Sequence, residues 1–518
     1  MKNRFLLTTC LVMAGLLAAT TASAKELRMA YDADPVTLDI HEQLSGGVLQ
    51  LSHMSFDPLI RWTKDLAFEP RLATSYERLN PTTVRFNLRK GVKFHSGNTM
   101  TATDFKWTFK RLKESPDFKG IFANFTELNI IDDHTIDLVT SGPYPLVLHT
   151  ATYIFPLDSQ FYSGTDANGN DKGAIVKNGA SFASTNLSGT GPFKIVSREQ
   201  GVKIVFERFA DYWDKSSPGN VSSIVFTPIK DEQTRVAALL SGGVDFIAPV
   251  SPNDFDQIRN SSKADLITMP GTRIITFQMN QERRKEFRDQ RVRMAIVHAI
   301  NNEAIVQKIM KGFATTAAQM SPPGYLGHNP NLKPRYDLDL AKKLMKDAGY
   351  ENGFSITMMA PNNRYVNDDK IAQAVAAMLS KINIKVDLQT MPKAQYWPQF
   401  DERAADMMMI GWHSDTEDSA NFYEFLAMTP DKATGFGAYN SGNYSSDYVD
   451  SQTIKANQET DSAKRAEMLQ AIETKIFQDA GFVPLHWQNL AWAARKGVML
   501  EPVVNALNFP YLGDLVIK

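Results

Sequence analysis

The sequence predicts an α/β protein of more than one domain, and three observations carry that expectation. From Phe354 to Ile410, strand-like and helix-like stretches alternate as β-α-β-α-β, a pattern that right-handed crossovers turn into a parallel sheet. From Val84 to Leu112 an alternating strand precedes an amphipathic helix, a second stretch with both element types. The 518 residues are too many for one hydrophobic core and suggest two or three domains.

Met1 to Ala24 has a basic start (Lys2, Arg4), an apolar centre and a small-residue end, Ala22-Ser23-Ala24, which describes a cleavable secretory signal with the mature chain beginning at Lys25. Glu26 to Tyr31 then reads as a strand closed by the turn signal Asp34-Pro35. Val84, Phe86 and Leu88 alternate with Arg85, Asn87 and Arg89, as in a half-buried strand. Thr101-Ala102-Thr103-Asp104 resembles a capping box with Asp in place of Glu, and Ala102, Phe105, Phe109 and Leu112 share the face of the helix that follows. Gly91, Gly97, Gly189 and Gly191 read as turn glycines, because none lies in a phosphate-binding context.

In the second half, Phe354 to Ala360 and Ile384 to Leu388 read as strands. Ile371, Val375, Met378, Leu379 and Ile382 recur at helical spacing, and Lys393 to Ala404 fits a second helix. Met407 to Ile410 is a continuous apolar run, as in a strand buried on both faces, and it stops at Gly411 in a polar turn. The loop beyond carries Trp412, His413, Ser414, Asp415, Glu417 and Asp418 at the carboxyl end of a buried strand, where open α/β sheets bind ligands. Parallel strands also bring the loop Pro361-Asn362-Asn363-Arg364 to that side, so a cation and an anion face one crevice. Trp412 fits core packing as well as a ligand platform.

The only cysteine, Cys10, lies inside the signal, which leaves the mature chain without disulfides or thiolate ligands. Export without disulfides suits a bacterial periplasm. No later run approaches the roughly 18 apolar residues of a membrane span. A formal net charge of −1, more acidic once Lys2 and Arg4 leave, gives no strong pull on nucleic acid or anionic lipid. The nine histidines form no metal-binding pair at helical spacing, and no serine-hydrolase elbow is present, so neither a cofactor nor a metal is expected. A secreted glycoside hydrolase using Glu417 with Asp418 or Asp415 is the enzyme alternative, because paired carboxylates are what that reaction requires.

From Arg71 to Arg111 the phrases "FNLRKGVKFHSG" and "TATDFKWTFKR" resemble the extracytoplasmic solute-binding proteins of peptide and nickel ABC transporters, and "GTGPFKI", "TRVAALLSGGVDF", "FRDQRVRMAIVHAI" and "FVPLHW" follow in that family's order. The resemblance implies a bilobal periplasmic binding protein (type II, cluster C-like) with an inserted domain. Lobe I would combine residues 25–68, 185–274 and 486–518, the inserted domain would cover 69–184, and lobe II 275–485. It implies a monomer that captures a small-molecule ligand, a peptide or glutathione, and presents it to an inner-membrane permease. An oligosaccharide and a metal chelate or heme are the alternative ligands. Dipeptide-binding relatives place an aspartate in "GW-x-x-D" on the peptide ammonium and an arginine in "P-x-x-R" on its carboxylate, which here are Asp415 and Arg364. Trp412 and His413 complete the expected ligand-binding set. Asp418-Ser419 replaces the Asp-Pro of many peptide-binding members, which frees φ and restores a backbone donor.

Overall fold

The computed structural model describes residues 25–64 and 67–518, so the expected signal Met1–Ala24 lies outside the described residues. An 11-stranded sheet runs through the molecule in the order Ile384–Met391, Phe354–Pro361, Met407–Trp412, Ala264–Met279, Phe482–Arg495, Phe246–Ala248, Lys25–Tyr31, Val221–Pro228, Lys203–Arg208 and Phe193–Glu199. The short strand Ala314–Thr316 also pairs with Phe482–Arg495.

Two long antiparallel strands, Ala264–Met279 and Phe482–Arg495, link the two halves of this sheet. Their register holds from Ala264 to Met269, shifts across Pro270-Gly271-Thr272 and resumes at Arg273. Side-chain packing divides at the same place. Ile275, Phe277, Ile296, Val375, Met409 and Leu485 share one core, whereas Leu27, Phe193, Phe226, Phe246, Trp492 and Leu512 share another. A chain that passes between two cores through strand interruptions can change their relative angle at a few residues while each core stays packed.

The expected β-α-β-α-β unit forms. Phe354–Pro361 pairs in parallel with both Ile384–Met391 and Met407–Trp412. The helix Asp368–Leu379 carries Asp368 and Asp369 in its first turn, where the helix dipole favours them, and buries Ile371, Ala372, Val375 and Leu379 in the same core as Ile356 and Met358. The second helix spans Lys393–Asp401. Every residue of Met407–Trp412 is buried, which accounts for its unbroken apolar text. That strand continues two residues past the expected stop at Ile410, because Gly411 and Trp412 still pair with Ile275 and Ile274.

A separate antiparallel sheet, ordered Ala73–Asn80, Thr83–Leu88, Thr135–Thr140, Phe125–Asp132, shares its core with the helix Ala102–Glu114. The capping box closes as expected, with the Thr101 N–H donating to the Asp104 carboxylate at 2.8 Å. The glycine reading needs a correction. Gly91 and Gly97 have φ of 72° and 97°, as turn glycines do. Gly189 and Gly191 instead mark a close backbone approach: a Cβ on them would stand 2.0 Å from the Ser55 carbonyl oxygen and 2.4 Å from the Phe56 nitrogen. Among the described residues, no helix is long and apolar enough to cross a membrane.

Candidate ligand-binding site

The strand Met407–Trp412 delivers its loop through Gly411, where a Cβ would stand 2.6 Å from the Tyr365 ring and 2.7 Å from Ile275. The Gly411 carbonyl accepts from Arg273 Nη1 at 3.2 Å and from the Tyr365 hydroxyl at 3.3 Å. One glycine thus ties the strand to two neighbouring elements. Trp412 stacks on Phe425 (5.2 Å, 26°) and packs against Tyr439 (4.6 Å). Its indole N–H donates to Asn421 Oδ1 at 2.9 Å, and the same oxygen accepts from the Asp415 backbone N–H at 3.2 Å. Trp412 is therefore a packed side chain that also fixes the loop, and it still lines the cavity described below.

Asp415 is only 3% exposed. Its Oδ1 accepts from the Tyr153 hydroxyl at 3.0 Å, but its buried Oδ2 has no partner among the described residues. Burial pushes its carboxyl up to about 8, against the pull of the Tyr153 hydrogen bond and the Arg273 charge. His413 Nε2 stands 3.7 Å from Asp415 Oδ1, yet burial and the nearby Arg273 hold the imidazole down at about 3, so it is neutral and offers no counter-charge. A buried carboxylate with a vacant oxygen is costly unless a cation meets it.

Cations stand nearby, also without carboxylate partners. Arg364 sits on the loop after Phe354–Pro361, where the Arg364 and Tyr365 N–H groups both donate to Asp368, at 2.8 and 2.9 Å. Its Nε is buried and unpartnered. Arg273, at the interruption of the long strand, donates among the described residues to Gly411 alone, and burial together with Arg364 lowers its guanidinium to about 10. Both Nη2 atoms converge on Gly46: a Cβ there would lie 3.3 Å from Arg273 and 3.6 Å from Arg364. Lys393 opens the second helix, its N–H held by Asn363 Oδ1 at 2.7 Å, and burial lowers its ammonium.

All four residues expected from the sequence, Arg364, Trp412, His413 and Asp415, line one cavity together with Arg273 and Ser45-Gly46. A neighbouring cavity shares Arg273 and Arg364 and adds Lys393, Asp32, Gln488 and Asn489. The walls come from both sides of the strand interruption and hold an acid at one end and bases beyond it. Such a chamber can grip a small molecule that has an ammonium group and a carboxylate, by charge-assisted hydrogen bonds.

Asp418 and Glu417 do not join this cavity. Asp418 pairs with Arg465 through two hydrogen bonds of 2.5 and 2.7 Å and caps Ala420. Glu417 accepts a hydrogen bond from Tyr325. Glu417 and Asp418, the carboxylates of the glycoside hydrolase alternative, thus do not line the cavity beside Asp415. Ser419, next to Asp418, accepts from the Gly327 N–H at 2.9 Å through its hydroxyl.

The family model for bacterial extracellular solute-binding proteins, family 5 Middle, matches residues 67–434. The chain belongs to this family. Within family 5, it is similar to the glutathione-binding protein GsiB of Pectobacterium atrosepticum, 26% identical over 511 residues that cover 94% of either chain. It is also similar to the solved ABC transporter-associated periplasmic binding protein DppA of Helicobacter pylori, in complex with the peptide STSA, at 26% identity and a TM-score of 0.85 over 96% of this chain and 98% of that one. A dipeptide-binding protein from Pseudoalteromonas in complex with Met-Leu shares the fold at TM-score 0.84 and 24% identity, over 95% of this chain and all of that one (100%). The fold is the bilobal one of periplasmic peptide-binding proteins.

Three lining or supporting residues escaped the sequence reading. Tyr153 lies 262 positions from Asp415, Arg273 sits in a strand without clear periodicity, and Lys393 looks like an ordinary first helical residue. The Pro270-Gly271 interruption was the one available pointer to Arg273.

Proposed function

We propose that this family 5 protein is the periplasmic ligand-capturing component of an ABC importer. It binds a peptide, short or glutathione-like, with the ligand ammonium on Asp415 and a carboxylate on Arg364, and delivers it as a monomer to the membrane permease without chemical change. The observation that carries this reading is the vacant, buried Asp415 Oδ2 in the same cavity as two arginines that lack a carboxylate partner. The reading divides the chain as expected from the resemblance, with lobe I of residues 25–68, 185–274 and 486–518, an inserted domain of 69–184 and lobe II of 275–485. Ligand contacts with both lobes favour the closed form, and only that difference in affinity drives closure.

Titration calorimetry tests it with a peptide and its N-acetyl derivative on the wild type and Asp415→Ala. Either change alone is expected to weaken binding by about a hundredfold to several thousandfold, the equivalent of about 3–5 kcal/mol for breaking a buried ion pair. Both together should cost much less than the sum, because they remove the same contact. Additive losses would take the ammonium away from Asp415.

A further inference from the structure

The charges that line the two adjoining cavities do not balance for a simple zwitterion, although Asp34 and the buried Asp368 also act on Lys393 from behind the lining. The two adjoining cavities are lined by three cations, Arg273, Arg364 and Lys393, and by two carboxylates, Asp32 and Asp415. His413 is neutral. No carboxylate of the described residues lies within ion-pair distance of any of the three cations, whereas the buried Asp39, Asp57 and Asp418 each have an arginine of their own. An ordinary dipeptide brings one positive and one negative charge, and would leave the net positive charge of this buried chamber in place.

The lining also has an order. Asp415 borders only the first cavity, Lys393 only the second, and the two arginines border both. Along the cleft the order is therefore the Asp415 carboxyl, the paired guanidinium groups, and the Lys393 ammonium with Asp32 in the same cavity. Lys393 Nζ is held over the same turn as the arginines, 3.4 Å from the position of a Gly47 Cβ, next to the one they approach at Gly46. From these observations we infer that the ligand carries one ammonium and two carboxylates, net charge −1, the first carboxylate lying on Arg273 and Arg364 and the second on Lys393. Arg273 and Lys393 thereby become specificity-determining residues. This rests on the proposed function for the ammonium at Asp415, and extends it by a second anionic group.

The test is calorimetry on ligand-stripped full-length mature protein with the near-isosteric peptides Ala-Glu and Ala-Gln, glutathione, and N-carboxyethyl-glutamine, which has one ammonium and two carboxylates without being a peptide. Ala-Glu is expected to bind at least about tenfold more tightly than Ala-Gln, as a charge-assisted hydrogen bond in a buried site allows. In Lys393→Met and Lys393→Gln that ratio should fall toward one. Because both peptides are measured on the same protein, a general loss of stability leaves the ratio unmoved. Equal affinity for Ala-Glu and Ala-Gln in the wild type, or a ratio that survives both Lys393 variants, overturns the inference while the peptide reading stands. Binding of N-carboxyethyl-glutamine with no binding of any peptide would uphold the charge rule and discard the peptide reading. No binding by any of the four ends both.

Discussion

Asp415 and Asp418 lie three residues apart on one loop, and both are almost fully buried, at 3% and 6% exposed. Asp418 has its counter-ion built in: Arg465 grips both carboxylate oxygens and is itself anchored to the Ala456 carbonyl at 2.9 Å. Burial alone would raise the Asp418 carboxyl, but the Arg465 hydrogen bonds and charge outweigh it and hold it below the usual carboxylate range. Asp415 has a tyrosine hydroxyl and a neutral histidine beside it, the Arg273 charge does not outweigh its burial, and its carboxyl moves the other way. Burial is equal and the residue type is equal. What separates the two acids is whether the chain supplies the partner.

The largest effects expected from this contrast fall on different observables. Asp418→Ala leaves Arg465 as an uncompensated buried charge and should lower stability by about 3–5 kcal/mol in urea unfolding. Asp415→Asn strands no partner, so its unfolding midpoint without ligand should match or exceed that of the wild type. Ligand at a hundred times the wild-type Kd should add about 2.7 kcal/mol to the wild type and almost nothing to Asp415→Asn. A large loss of ligand-free stability in Asp415→Asn would erase the distinction between the two acids.

The sequence made the Asp415 loop legible for a topological reason. Parallel strands joined by right-handed crossovers must send their following loops to one side, so Arg364 and Asp415 could be placed together without coordinates. The helix at Ala102 was legible because Thr101 and Asp104 cap it locally. Asp418 was not separable from Asp415, because its partner Arg465 is 47 positions away in a helix that carries no mark of that role. Gly189 and Gly191 misled because close approach and turn formation both call for glycine, and only the facing Ser55-Phe56 backbone distinguishes them. Contacts fixed within a few residues could be read. Contacts made by distant segments meeting at the cleft could not.

An intermediate effect sharpens the structural half of the contrast. If Asp418 contributes through its pair with Arg465, replacing both members removes the stranded charge that makes either single change costly. Asp418→Asn combined with Arg465→Met should recover about 1–3 kcal/mol relative to the sum of the two single losses, measured by a double-mutant cycle in urea. A cycle that closes at zero would mean that Asp418 matters through its cap on Ala420 alone.

A further effect concerns pH, read on the radius of gyration rather than on stability, and it again sets the two acids against each other. In the buried site Asp415 titrates at about 8, whereas a solvated aspartate titrates at about 3.9. If closure is what buries Asp415, the closed, ligand-free protein binds between those values a proton that the open protein does not, so closure becomes easier as pH falls through this window. The gain is at most about 1.4 kcal/mol per pH unit. Asp418 has the opposite sign: its carboxyl is held below the usual range by Arg465, so its contribution is fully present above about pH 4 and is lost only as pH drops further. Small-angle scattering of the ligand-free protein between about pH 8 and 5 should show the radius of gyration shrinking on acidification. Asp415→Asn, which cannot ionise, should hold one radius across that range. A wild type with no pH dependence, or an Asp415→Asn protein that keeps it, would mean that closure does not bury this carboxylate.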